Sequence, residues 1–177
     1  MSIVQTVPPE RATGKVEQVY RDIEGALGYV PNAFRLYSSS PNLLEQHWQQ
    51  TKYYVGHPTL SSVLLATIRM LVSQENDCAY CVGFNEAMLI QRAGLAPERV
   101  AETKRNPEAA PLSDRDRALL LFVLKATKTP KAVDAADLDD LRALGWQDSE
   151  IVEAVYHGAR NMAADVVFNA FKIEVDA

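Results

Sequence analysis

Cysteine is scarce in this chain, with two residues, and histidine nearly as scarce, with three. Two cysteines cannot build the multi-bridge framework of a small secreted domain. One cysteine pair with scattered histidines also gives no second half for a four-ligand zinc site, so no metal and no cofactor is expected. Basic runs are missing as well. A net charge of -5 and a pI near 5.2 argue against a nucleic-acid partner and against an anionic membrane surface. No apolar run is long enough to span a bilayer, and the opening Met1-Ser2-Ile3-Val4 carries neither basic start nor signal-length apolar core, so a cytoplasmic protein is expected. Strand signals are absent too: almost no period-two alternation is flanked by hairpin turns.

What is present is helix upon helix. The spacing of Val16, Val19, Tyr20, Ile23 and Leu27 predicts a helix over 15–27, stopped by Gly28. Further helices are predicted over 33–38, over 41–55 behind Ser40-Pro41, and over 61–74, where apolar residues surround most of the circumference. Others follow over 97–104, from Ser113 to about 127, from Asp134 to Gly145, and from a cap at Asp148 through about 175. The class is all-α. At this length a single domain over 1–177 is expected, with N-terminal helices over 15–56, a cysteine-bearing unit over 60–104 and a second unit over 112–177. A faint repeat relates the last two. Leu60-Ser61, an apolar helix and Gly94 are echoed by Leu112-Ser113, an apolar helix and Gly145, and only the first copy holds cysteines; the matching place in the second falls near Thr129 and Pro130.

Both cysteines lie in Asn76-Asp77-Cys78-Ala79-Tyr80-Cys81. With Asp77 as N-cap, Cys78 would open a helix ending before Gly94. A thiol at a helix N-terminus meets free N–H groups and the positive end of the dipole, which favour the thiolate, and the thiolate is the nucleophile. Two sulfurs three residues apart sit roughly 60° apart around the helix and can cycle between dithiol and disulfide with little backbone movement. Reachable by solvent, such a pair is redox-active; sealed inside, it is a pair of small core residues.

The motif resembles the signature of the carboxymuconolactone decarboxylase and alkylhydroperoxidase D (AhpD) superfamily, in which an apolar helix ending as Val72-Ser73 does here leads into Asn-x-Cys-x-x-Cys. Tyr29-Val30-Pro31-Asn32-Ala33-Phe34-Arg35 and Ser40-Pro41-Asn42-Leu43-Leu44-Glu45 are similar to its peroxidase-related branch, and the segments 145–152 and 161–171 resemble its closing helices. The resemblance implies an AhpD-like fold assembling as a trimeric or hexameric homo-oligomer. It also implies a dithiol that reduces a peroxide or disulfide at the expense of a thiol reductant. It further nominates Cys81 as the attacking thiol and Cys78 as its resolving partner, whereas helix-terminus electrostatics favour Cys78.

The family's proton relay is missing. Where active members carry a His beside the second cysteine this chain has Asn85, and where they carry the relay Glu it has Ala66. An amide cannot shuttle protons, so either another group supplies help worth roughly 10² to 10⁴ in rate or the peroxidase chemistry is weak. Glu75, just ahead of the motif, is the first candidate, with His47, His57 or His157 brought in by folding as others; Glu86 turns away on the helix. Two alternatives stand beside the oxidoreductase: a non-catalytic redox sensor or binding module, and lactone decarboxylation, which relies on the very His and Glu absent here.

Overall fold

The computed structural model describes residues 2–176, and among these it contains nine α-helices and no strand, as the sequence pattern requires. Two compact units divide the chain, Met1–His57 with Val167–Ala177, and Pro58–Val166. No helix of the described residues is long and apolar enough to cross a membrane.

In the first unit, α1 (Gly14–Leu27) buries Val16, Val19, Tyr20 and Ile23, the predicted stripe, and ends at Gly28, whose φ of 87° is left-handed. The short α2 (Asn32–Leu36) runs into a 3-10 turn at Tyr37–Ser39, and α3 (Pro41–Val55) starts on Pro41. Trp48 is buried, with the Phe34 ring edge-on at 5.5 Å and its indole N–H donating to Asp22 at 3.4 Å. Rings also surround His47, with Phe34 and Tyr37 at 5.3 and 4.4 Å between centroids.

The second unit is built on α4 (Ser62–Glu75). Leu64 through Ile68 and Met70 through Ser73 are all buried, so the helix is covered on nearly every side, by α5 (Ala79–Ala87) and α7 (Asp114–Lys128) among others. After α5 the chain takes one wide π-turn, Met88–Arg92, and leaves it at Gly94 with φ 71°. Then come α6 (Pro97–Arg105), α7, α8 (Ala135–Ala143) and the long α9 (Asp148–Ala170), whose last residues fall in the first unit.

Three capping expectations change. Asp77 is not the cap of the cysteine helix: it adopts φ 53°, turning the chain, and Cys78 itself takes the N-cap position. Asp148 does not cap α9 either; the Glu150 carboxylate accepts from the Gln147 N–H at 2.8 Å, while Asp148 pairs with Arg142 at 2.8 Å. Ser113 and Asp116 form only half of a capping box, whereas Asp134 and Asp137 complete one. Finally α9 stops at Ala170 rather than near 175, because Lys172 turns left-handed and the Ile173 N–H reaches back to the Phe168 carbonyl at 3.0 Å.

Candidate active site

The dithiol sits where α4 turns into α5. The Cys78 N–H bonds the Ser73 carbonyl at 3.0 Å, which closes the turn through Asp77 and fixes where Cys78 points. Its Sγ then accepts the Cys81 N–H at 3.4 Å, a sulfur doing the work usually given to a Ser or Asp oxygen at an N-cap. Both thiols are free, and both are buried: Cys78 is 1% exposed and Cys81 5%. The open helix mouth expected from the sequence is therefore corrected to a covered one. The turn pulls the sulfurs inward between α4 and α9. Cys78 nevertheless lines an open depression of about 410 Å³ with Gln74, Asp77, Ala79, Val82, Gly83 and Glu86.

Behind the sulfurs lies a group the sequence reading missed. Asp165 of α9 is fully buried, and a carboxylate oxygen of it and the two Sγ atoms lie within 4.8 Å of one another. Its carboxylate is held by the Ser73 hydroxyl at 2.8 Å and the Asn76 amide at 3.0 Å, with the Asn161 amide longer at 3.3 Å. Asn161 also donates to the Ser73 oxygen at 2.6 Å. A buried carboxylate demands such donors, since an unpaired one would be prohibitively costly. One signal was present in the sequence. Asn161 and Asp165 are polar residues four apart on the register of α9 that also buries Ala154, Gly158 and Phe168.

The two thiols are driven apart electrostatically. Cys78 is pulled below the ordinary cysteine range, chiefly because the Cys81 thiol donates to it, with the Cys81 N–H helping against burial and Asp165. Cys81 is pushed far up by that same donation, by burial and by the Asp165 carboxylate. The hydrogen bond between the sulfurs thus favours a thiolate on Cys78 over one on Cys81, within a pair that titrates together.

Asn85 and Ala66, the replaced relay positions, are both buried. Asn85 donates to the Cys81 carbonyl at 2.8 Å and accepts from the Arg69 guanidinium at 2.7 Å, and Arg69 meets the His157 ring nitrogen at 3.1 Å. Burial, reinforced by Arg160, lowers the Arg69 pKa to about 10, and the Cys81 side chain opposes that shift. Glu75 is not part of this cluster. Its exposed carboxylate forms an ion pair with Lys128 at 2.7 Å, because the last turn of α4 carries it to the outer surface. Glu86 lines the depression but is paired with Lys104 at 2.9 Å. Of the three histidines, His157 alone lies in the unit that holds the cysteines.

No protein-family model and no curated protein matches the chain. Solved structures do. An AhpD-core, peroxidase-related protein from Ralstonia eutropha JMP134 superposes with a TM-score of 0.86 at 22% identity, over 99% of this chain and 92% of that one. The fold is AhpD-like. A peroxidase-related protein from Silicibacter sp. TM1040 matches with a TM-score of 0.82 at 24% identity, over 98% and 88% of the two chains. The debrominase Bmp8 matches with a TM-score of 0.79 at 19% identity, over 99% and 92%, and a cysteine-to-alanine variant of it is known in complex with 2,3,4-tribromopyrrole. An AhpD-like fold thus accounts for the whole chain, and its Cys-x-x-Cys turn is the part with reactive groups assembled around it.

Proposed function

We propose that this protein is a dithiol oxidoreductase that reduces a peroxide or a disulfide, with Cys78 attacking, Cys81 resolving and Asp165 handling the resolving proton. The observation that carries the reading is the position of Cys78: its Sγ caps α5, lines the depression and lies beside a second thiol and a buried carboxylate. The family resemblance nominates Cys81 as attacker; the cap and the depression favour Cys78.

For a hydroperoxide the chemistry balances as follows. The Cys78 thiolate attacks one peroxide oxygen, an S–O bond forms, the O–O bond breaks, and the departing alkoxide takes a proton from water. Cys78 is then a sulfenic acid. Cys81 passes its proton to the Asp165 carboxylate and attacks the Cys78 sulfur; the S–S bond forms, the S–O bond breaks, and the hydroxide leaves as water with the proton returned from Asp165. A thiol reductant restores the dithiol. Asp165 supplies from α9 the proton acceptor that Asn85 and Glu75 do not. A carbon–bromine bond can be reduced by the same pair: the Cys78 thiolate takes the bromine as S–Br, the carbon takes a proton from water, and Cys81 displaces bromide to leave the disulfide. The structural likeness to a debrominase thus puts bromopyrroles among the substrates to screen.

Burial of both thiols supports a second reading, a redox sensor that opens and oxidises without turnover. Self-association of the chain is also proposed. Val152, Ala159, Ala163 and Val166 are exposed along α9 together with Tyr156, an apolar stripe of the kind that subunit contacts cover. The test is peroxide consumption with a dithiol reductant, followed by intact mass. Turnover with a Cys78–Cys81 disulfide supports the enzyme, and one stoichiometric oxidation without turnover supports the sensor. Thiols inert to peroxide and disulfides alike would remove both.

A further inference from the structure

We infer that Cys78, Cys81 and Asp165 together form a binding site for one thiophilic divalent cation, Zn²⁺ above all, and that the bound cation holds the dithiol reduced. The sequence argued against a metal because it offers no second Cys or His pair. The third donor comes instead from α9, and the tertiary structure brings it to the cysteine turn. Two sulfurs and one carboxylate oxygen within 4.8 Å of one another are a three-ligand set of the kind zinc takes while leaving its fourth position open. With Zn–S near 2.3 Å and Zn–O near 2.1 Å, ligand atoms on a tetrahedron stand about 3.5–3.8 Å apart, so the cluster has to contract by only about 1 Å.

Two further observations point the same way. The carboxylate of Asp165 is oriented by Ser73 at 2.8 Å and Asn76 at 3.0 Å, with Asn161 shared more loosely across both oxygens at 3.4 and 3.3 Å. Ser73 and Asn76 supply supporting hydrogen bonds of the kind metal-binding carboxylates require, and the loosely shared Asn161 amide is the donor a cation would displace. The depression beside Cys78 gives the fourth position a route to water or an outside ligand. Charge fits as well: binding releases the thiol protons, and a divalent cation offsets the repulsion that two buried thiolates and a carboxylate would otherwise feel. Coordination engages both sulfurs and disulfide formation joins them, so the two states exclude each other.

The inference concerns the reduced chain and is independent of the turnover proposed above. The test uses full-length protein, reduced, stripped with a chelator and titrated with Co²⁺ under anaerobic conditions. A thiolate-to-Co²⁺ charge-transfer band saturating at one ion per chain and displaced by Zn²⁺ is expected. Asp165→Asn should weaken Co²⁺ binding at least about tenfold, the lower bound for loss of a group supporting a metal. Because that variant also touches a buried network, two measurements on the unaltered chain stand beside it. Diamide-oxidised protein should give no band, and Zn²⁺-loaded protein should resist diamide until a chelator is added. A missing band at excess Co²⁺, an unchanged affinity in folded Asp165→Asn, or oxidation undisturbed by Zn²⁺ would each overturn the site. A chain that binds Co²⁺ yet leaves peroxides untouched would sink the oxidoreductase and keep the metal site.

Discussion

Within Pro58–Val166 the chain performs a similar manoeuvre twice, and the two performances differ in how the second helix is capped. Both begin on a Leu-Ser pair whose serine caps the first helix: the Ser61 Oγ accepts from the Leu64 N–H at 3.2 Å and the Ser113 Oγ from the Asp116 N–H at 3.1 Å. Each first helix ends in a turn, and each later leaves its run at a left-handed glycine, Gly94 or Gly145. Between these points a second helix has to be capped. For α8 the cap is Asp134, exposed, in a complete capping box with Asp137. For α5 it is the buried sulfur of Cys78. A carboxylate is a strong acceptor and chemically inert there; sulfur is a weak acceptor, and its cap position makes it more reactive. One copy of the pattern caps its second helix with a carboxylate, and the other caps it with the thiol proposed above to attack.

Several measurements sharpen or break that contrast. Cys78→Ser and Cys81→Ser should each abolish disulfide formation and peroxide turnover, read by intact mass and peroxide consumption. Cys78→Ser should nonetheless melt no lower than the parent, since a hydroxyl caps at least as well as a thiol; a clear drop in Tm would mean the sulfur is not acting as a cap. In chelator-treated wild type, alkylation of Cys78 should persist below the pH at which a free cysteine fades and fail only as its lowered pKa is crossed from above. A rate profile centred on the ordinary cysteine pKa or higher would contradict the hydrogen bond from Cys81.

Smaller effects come from packing and caps. A Cβ on Gly158 would stand 2.9 Å from Val123 Cγ1 and 3.2 Å from Thr127 Cγ2, so Gly158→Ala should cost roughly 1–3 kcal/mol in denaturant unfolding. No change there would mean α9 does not approach α7 so closely. Asp134→Ala should cost about 0.5–2 kcal/mol while leaving thiol alkylation untouched, which separates the carboxylate cap from the thiol cap. Gly83→Ala has the opposite sign. That glycine is exposed in α5 with nothing within 4 Å of the added Cβ, so a gain of about 0.5–1 kcal/mol is expected, with slower alkylation because the residue lines the depression.

Much of this was legible beforehand. The apolar stripe of α1 and the nearly all-round burial of α4 follow from residue spacing, because helical periodicity is a local property of the chain. Cap identity was less legible. Asp77 and Asp148 look like caps by composition, yet the turn geometry hands the role to Cys78 and the Glu150 side chain. Glu75 looked available because it is close in sequence, but proximity along a helix does not set direction, and it points to Lys128.

By itself the sequence determined that the chain is helical, where most helices begin and end, and that both cysteines lie in one turn between two of them. Only the tertiary structure decided what that turn faces. It brought Asp165 from α9 against both sulfurs, covered the thiols, and set Asn85 on Arg69. The reason is physical: periodicity and caps depend on neighbours a few residues away, whereas a buried carboxylate beside a dithiol depends on how distant helices pack, which no local pattern encodes.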